Sequence, residues 1–283
     1  MDLNQYIDFL AANAEAAMLK EVHAAPKPGL VDRLNSGSHQ DMDYETFQRS
    51  AKALTPHFRY FMEQSAASKD DRILPDLRAL GIKAENDMYL ATNGANTHKG
   101  LIFSLGLMAA CLVRLALKLG FKPARKDLPG LRELIRMNAQ GITGELKDAS
   151  CRSHGQTVFL EHGLMGVRQE AEEGFPAVFL TGLPALQRYR SIYVQEDLPV
   201  LLTLLELILG TDDTTLVKRG GLEGLHWMRQ RSESILDQHE MWSTRQVMDE
   251  FSRFDLAAQL KALSPGGAAD NLALTLFLDM VLN

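Results

Sequence analysis

The side chains best suited to chemistry lie between the apolar stretches of this chain. The richest segment runs from His23 to Met42, HAAPKPGLVDRLNSGSHQDM, and gathers Lys27, Asp32, Arg33, His39 and Asp41. Long irregular loops are uncommon inside compact helical domains and are either functional or disordered. Here Pro26 and Pro28 stiffen the backbone and Gly29 permits an unusual turn. Stiffness with mixed charge suits a loop that holds a charged ligand.

Four further segments carry chemistry-bearing residues. In Asn93–Gly100, Asn96 or Thr97 can cap a following helix, with His98 and Lys99 in its first turn. A cation there opposes the helix dipole unless an anion binds nearby. That reads as a phosphate clamp; a solvated lysine beside a packed histidine is the plain alternative. Upstream, Glu85 and Asp87 cannot share a helix face; Asp87 falls on the side of Leu90 and Ala91, read as the interior, as a buried carboxylate.

Arg168–Glu173, RQEAEE, offers Arg168 and Glu170, although Arg168 and Glu172 could equally form a helix-surface pair. Asp212–Gly221, DDTTLVKRGG, sets Asp213 beside hydroxyl oxygens that suit a hard cation. Its Arg219, followed by Gly220 and Gly221, suits a phosphate, because glycines leave room and a guanidinium binds two oxygens. Asp-Asp-Thr at a helix end is also commonly only a cap. In Ser264–Asn271, SPGGAADN, Ser264 reads as an N-cap and Pro265 as the first helical residue. Capping leaves Gly266 and Gly267 unexplained, since each weakens a first turn by about 1 kcal/mol. Either a ligand phosphate approaches the bare N–H groups there, or another element packs tightly.

The elements that must position these residues are helices. Apolar residues recur at helical spacing and predict helices over Leu3–His23, from an Asp43 N-cap through Met62, Asp76–Leu90, Thr97–Leu119 ended by Gly120, Leu128–Asn138, Gln156–Gly163, Leu198–Leu209, Leu222–Asp237, Thr244–Leu263 and Pro265–Leu282. No alternating strand appears; Ala177–Leu180 is too short to count. The expected fold is all-α: one multi-helix bundle over residues 1–283, its site formed by inter-helix loops and helix N-termini, whose unpaired N–H groups bind anions.

Composition narrows the function. The chain has 283 residues, 46% hydrophobic, and a formal net charge of −6. That supports a substantial core and argues against broad nucleic-acid or anionic-membrane binding. The cysteines, Cys111 and Cys151, show no disulfide or zinc spacing, and Cys111 reads as a buried thiol. The N-terminus lacks a signal-peptide pattern. The most apolar run, Leu101–Val113, stops at Arg114, short of the roughly 20 residues a spanning helix needs. A cytoplasmic protein is expected.

KPGLVDR with SGSHQDM, then ENDMYLAT, NTHKGLIFSLGLM, GVRQEAEEGFP, DTTLVKRGG and SPGGAADNL, in this order and across nearly the whole chain, resemble the signature segments of the triphosphoribosyl-dephospho-CoA synthases. These make the prosthetic-group precursor of citrate lyase, with a close relative serving malonate decarboxylase. Two positions depart from the family pattern: Gln169 stands where glycine is usual, and Thr215 where asparagine is.

The resemblance implies that the ribose 2′-hydroxyl of 3′-dephospho-CoA attacks the anomeric carbon of ATP, adenine leaves, and the product passes to an acyl-carrier-protein prosthetic-group transferase. Such chemistry asks for a carboxylate, a proton donor to adenine, and cations on the triphosphate. By residue type, Asp87 or Glu170, with Asp32, are the carboxylates expected in catalysis. The same reading expects Lys27, Arg33, His39, Asn96, His98, Lys99, Arg168, Arg219, Ser264, Gly266 and Gly267 in substrate binding, and Asp213 with Asp41 for Mg2+. Which carboxylate is the base stays open, as do homo-oligomer formation and the choice between the two pathways. Two other readings remain at this point: nucleotidyl or phosphoryl transfer, for which no GxxxxGK[ST] loop is present, and a non-catalytic CoA- or nucleotide-binding adaptor.

Overall fold

The computed structural model describes residues 2–69, 73–120, 122–147 and 154–282; Cys151 lies outside them. The described residues form helices joined by turns, with no strand among them. The helices are α1 (Leu3–His23), α2 (Tyr44–Ala67), α3 (Leu74–Ala91), α4 (Lys99–Leu119), α5 (Leu128–Ala139), α6 (His154–His162), α7 (Val167–Glu172), α8 (Leu183–Ile192), α9 (Asp197–Gly210), α10 (Thr214–Leu236), α11 (Thr244–Leu260) and α12 (Gly266–Val281).

Local signals set most of these ends. Asp2 caps α1 and Asp43 caps α2, each accepting from the N–H three residues on. Gly120 ends α4 in the left-handed conformation. The periodicity missed α7, α8 and the π-helical turn Ala177–Gly182 that leads into α8, because this stretch is short and broken by Gly174, Pro176 and Pro184. It also missed the first half of α10. That helix is two pieces joined at Gly221, whose φ of 64° makes the kink.

At the centre, α1 packs on α2 and α12, and α2 on α3 and α4. Helix α4 is long and apolar enough to cross a membrane, the only such helix among the described residues, but 78% of its apolar window is buried by its neighbours. Its Cys111 is fully buried, and burial pushes the thiol up to about 12. Helices α9 and α12 are buried along most of their length. This core holds the beginnings of α4, α10 and α12 in place.

Candidate functional site

The loop after α1 is built into the core. Ala24, Ala25, Leu30 and Val31 are buried, and so are Lys27 and Asp32. The Lys27 ammonium pairs with Glu21 of α1 inside the protein. Asp32 folds the loop around itself, accepting the N–H groups of Lys27 at 2.8 Å, Leu34 at 2.8 Å and Asn35 at 3.1 Å. Those bonds occupy the carboxylate structurally, so Asp32 does not fit the catalytic role expected of it. Burial nevertheless pushes both Glu21 and Asp32 above the usual carboxylate range, with Lys27 pulling against it.

The far side of this loop is tied to the turn between α11 and α12. Gly29 N–H donates to Asp255 Oδ1 at 2.9 Å, and Ser38 Oγ to the Leu263 carbonyl at 2.6 Å. The chain crosses so closely here that a Cβ on Gly29, which has φ +69°, would lie 2.0 Å from the Leu263 oxygen. Arg219 of α10 clasps both partners, donating to the carbonyls of Ser38 at 3.0 Å and Ala262 at 3.3 Å and to His39 Nδ1 at 3.0 Å. With Nδ1 accepting, the imidazole proton sits on Nε2 and is donated to Ser264 Oγ at 3.0 Å. Burial and the Arg219 charge push His39 down to about 4, so the ring is neutral at pH 7. Ser264 is therefore a partner of His39 and not a cap; α12 begins one residue later than expected, with Pro265 at the N-cap position.

Asp213 is the hinge of the arrangement. Its Oδ1 accepts the N–H groups of Thr215 and Leu216, each at 3.0 Å, which starts α10. Its Oδ2 accepts Ala268 N–H at 3.1 Å, which starts α12. The carboxylate thus occupies the anion position at the α12 N-terminus. Gly267 makes room for it: a Cβ there would lie 3.0 Å from Asp213 Cγ. Likewise Gly220 makes room for Leu263, 2.2 Å from where its Cβ would be, and Gly266 faces the Thr215 side chain. The two carboxylates expected to hold Mg2+ have other partners in this structure. Both Asp213 oxygens are engaged with backbone, Asp41 is an exposed neighbour of His39, and no group of three or more metal-ligating side chains occurs among the described residues.

Beside this hinge lies the start of α4. His98 occupies its N-cap position without a side-chain cap, and Asn96 Oδ1 reaches the Lys99 N–H at 3.4 Å. The His98 ring is buried. Thr97 Oγ1 donates to Ser50 Oγ at 2.7 Å, and Ser50 in turn meets His98 Nδ1 at 2.7 Å. That chain leaves the ring proton on Nε2, which has no partner among the described residues. Burial and the Lys27 charge push His98 down to about 3. Asp270 of α12 reaches over the same turn: a Cβ on Gly100 would lie 2.2 Å from its Oδ2. Burial and the negative charges of Asp213 and Glu21 push Asp270 well up.

Next to Asp212, a cavity of about 250 Å³ is lined by Glu170, Glu173, Gln169, Gly166, Thr181 and other residues. Glu170 Oε2 accepts the Ala177 N–H at 3.2 Å. Burial, and the charges of Glu173 and Asp212, push Glu170 up to about 7. Gly166 lies against Thr214, the first residue of α10, so this cavity flanks the same hinge.

Other expected site residues sit apart. Asp87 is not buried: its side chain is 42% exposed and pairs with His57 at 2.8 Å. Leu90, taken as its inward neighbour, is 78% exposed. Lys99 is 51% exposed and pairs with Glu85. Arg33 pairs with Asp197 of α9. Arg168 lies 3.8 Å from Glu145, while Glu172 accepts the N–H groups of Gly141 and Thr143, so the expected Arg168–Glu172 pair is not formed. The sequence reading missed Glu21 and Asp270. Glu21 hides inside an amphipathic helix. Asp270 lies within SPGGAADNL, where the glycines drew attention to the backbone instead.

Comparison with protein families matches residues 7–283 to the family described as CitG, ATP:dephospho-CoA triphosphoribosyl transferase. The probable 2-(5″-triphosphoribosyl)-3′-dephosphocoenzyme-A synthase of Citrobacter koseri is 40% identical over 97% of this chain and 91% of that protein. The Escherichia fergusonii 2-(5″-triphosphoribosyl)-3′-dephosphocoenzyme-A synthase is 38% identical over 95% of this chain and 89% of its own length. Protein CitXG of Haemophilus influenzae is 36% identical over 97% of this chain, which spans 60% of that protein. No solved structure matches the chain.

Proposed function

The chain belongs to the ATP:dephospho-CoA triphosphoribosyl transferase family, and we propose that its reaction runs around the Asp213 hinge with Glu170 as the base. The enzyme transfers the 5-triphosphoribosyl group of ATP to the ribose 2′-hydroxyl of 3′-dephospho-CoA and releases adenine. The observation that carries the location is convergence: signature segments from five parts of the chain meet at the starts of α4, α10 and α12.

Glu170 suits the base. Catalytic carboxylates work best when tuned near the operating pH, and burial among like charges brings this one to about 7. It would accept the 2′-hydroxyl proton as the oxygen bonds to the anomeric carbon. The unpartnered His98 Nε2–H, in a ring that stays neutral at pH 7, would donate to an acceptor on the nucleotide. Magnesium enters as the metal–ATP substrate, since Asp213 is bonded by backbone N–H groups and Asp41 lies beside His39. The product is handed to an acyl-carrier-protein prosthetic-group transferase of the citrate lyase or malonate decarboxylase system. Work in the cytoplasm suits those partners.

The test is incubation with ATP, magnesium and 3′-dephospho-CoA, followed by mass analysis. Free adenine should appear in step with triphosphoribosylated dephospho-CoA. Release of pyrophosphate or ADP, with adenine retained on the product, would refute glycosyl transfer. CoA itself should be a poor acceptor, because its 3′-phosphate places an extra charge beside the attacking hydroxyl, and that charge needs a partner of its own.

A further inference from the structure

We propose that the Asp270 carboxyl is the acid that protonates the departing adenine. This rests on the transfer reaction above and adds a residue to it. Adenine leaves poorly as an anion, so a proton donor near the purine lowers the barrier.

The position of Asp270 distinguishes it from the other enclosed aspartates. Asp32 is bonded by three backbone N–H groups and Asp213 by N–H groups of two helices. Asp255 holds Gly29, Asn35 and Gln259, and Asp279 holds two arginines. Each of those carboxylates is committed to the fold. Asp270 is half-buried, and among the described residues what acts on its carboxyl is burial and the charges of Asp213 and Glu21, with no hydrogen bond or cation beside them. It reaches over the first turn of α4, at a place kept open by Gly100, where any side chain would displace it.

The charged groups around it favour the protonated form. The carboxylates of Glu21, on α1, and of Asp213, in the turn before α10, both act on it to raise its affinity for the proton. The buried ammonium of Lys27 is already paired with Glu21. His98, at the start of α4, is neutral at pH 7. A carboxyl whose surroundings favour the protonated form can give its proton to a leaving group.

In the step, the 2′-oxygen bonds to the anomeric carbon as the bond from that carbon to purine N9 breaks. The electron pair of that bond moves into the purine. Asp270 gives its proton to a ring nitrogen, so neutral adenine departs, and Glu170 takes the hydroxyl proton. Solvent then carries one proton from Glu170 back to Asp270, and both groups are reset.

The test compares two donors: ATP and 4-nitrophenyl riboside 5′-triphosphate, whose nitrophenolate leaves without a proton. Asp270→Asn keeps the shape of the side chain. It should lower kcat with ATP by roughly a hundredfold or more, with KM for ATP little changed, while the rate with the nitrophenyl donor stays close to that of the unmodified enzyme. Gly100→Ala, which pushes the carboxyl aside, should show the same donor-dependent loss. An equal loss on both donors in Asp270→Asn would mean a merely structural role and overturn the proposal, as would full activity with ATP. Glu170→Gln should lose rate with both donors, since the base is needed for either. If the unmodified enzyme releases no adenine, the transfer reading itself fails, and the acid role falls with it.

Discussion

Helix α12 carries a buried or half-buried aspartate at each end, and the protein treats them in opposite ways. Near its C-terminus, Asp279 is bonded by Arg125 of the turn before α5 and by Arg190 of α8. Near its N-terminus, Asp270 is acted on by two carboxylates, Asp213 and Glu21, and by no cation among the described residues. Burying a carboxylate is costly unless it is paired and hydrogen-bonded. At the Asp279 end that cost is offset, and the pair of arginines joins three parts of the bundle. At the Asp270 end the cost is left standing, in the region where the signature segments meet. A charge satisfied by the fold is there for the fold; one left unsatisfied points to a ligand or a reaction.

The largest expected effect that sharpens this contrast is at Glu170. Glu170→Gln should lower kcat by about a hundredfold or more, roughly 3 kcal/mol of barrier, with a melting temperature that is unchanged near pH 4.5 and higher than that of the unmodified enzyme at pH 7 and above. The pH dependence has a definite sign. Glu170 is raised from 4.5 to about 7 in the folded protein, so the native state holds the proton more tightly. Its contribution therefore weakens the fold as pH rises from about 4.5 through 7, while kcat rises through the same region as the base ionises. In Glu170→Gln both trends should vanish, which pH-dependent melting and a kcat profile would check.

The second effect is at the hinge. Asp213→Ala removes the caps of α10 and α12 together. At about 1 kcal/mol per cap, plus the cost of buried N–H groups left bare, a loss of roughly 2–4 kcal/mol is expected in urea unfolding. An unchanged stability would show that the carboxylate is free for another role, such as holding metal.

Third, Arg190→Ala should lower stability by roughly 1.5–3 kcal/mol, the value of a hydrogen bond to a charged group, and leave kcat/KM intact. A fall in kcat/KM without a loss of stability would erase the distinction between the two ends.

The smallest effect is at Lys99. An exposed ion pair is worth at most about 1 kcal/mol, so Lys99→Ala should change kcat/KM by less than roughly tenfold. A larger loss would return Lys99 to the triphosphate.

The sequence made the helices legible because burial imposes a 3.6-residue period, and α1 and the capped start of α2 came out at their observed ends. It was less informative about the site because single residues have several physical uses. The glycines at 220, 266 and 267 read as room for phosphate, whereas the fold uses that room for Leu263, Thr215 and Asp213. Asp87 looked inward on a helical wheel, but α3 turns that face to solvent, as Leu90 shows. His39 and Arg219 stand out by residue type, yet their partners lie far along the chain, and no local spacing reveals them. Glu170 was legible as a carboxylate in a charged segment. Its raised affinity for protons comes from neighbours brought in by Asp212 and by the turn after α7.

The central claim, that substrates bind where α4, α10 and α12 begin, is tested most directly by hydrogen exchange with and without magnesium, ATP and CoA. Here CoA serves as a slow acceptor, so that the bound complex persists. Protection should appear in residues 24–43, 93–101, 166–178, 211–221 and 262–271, with little change around Arg125, Arg190 and Asp279. Protection centred on those arginines, or on the exposed face of α3 around Asp87, would contradict it.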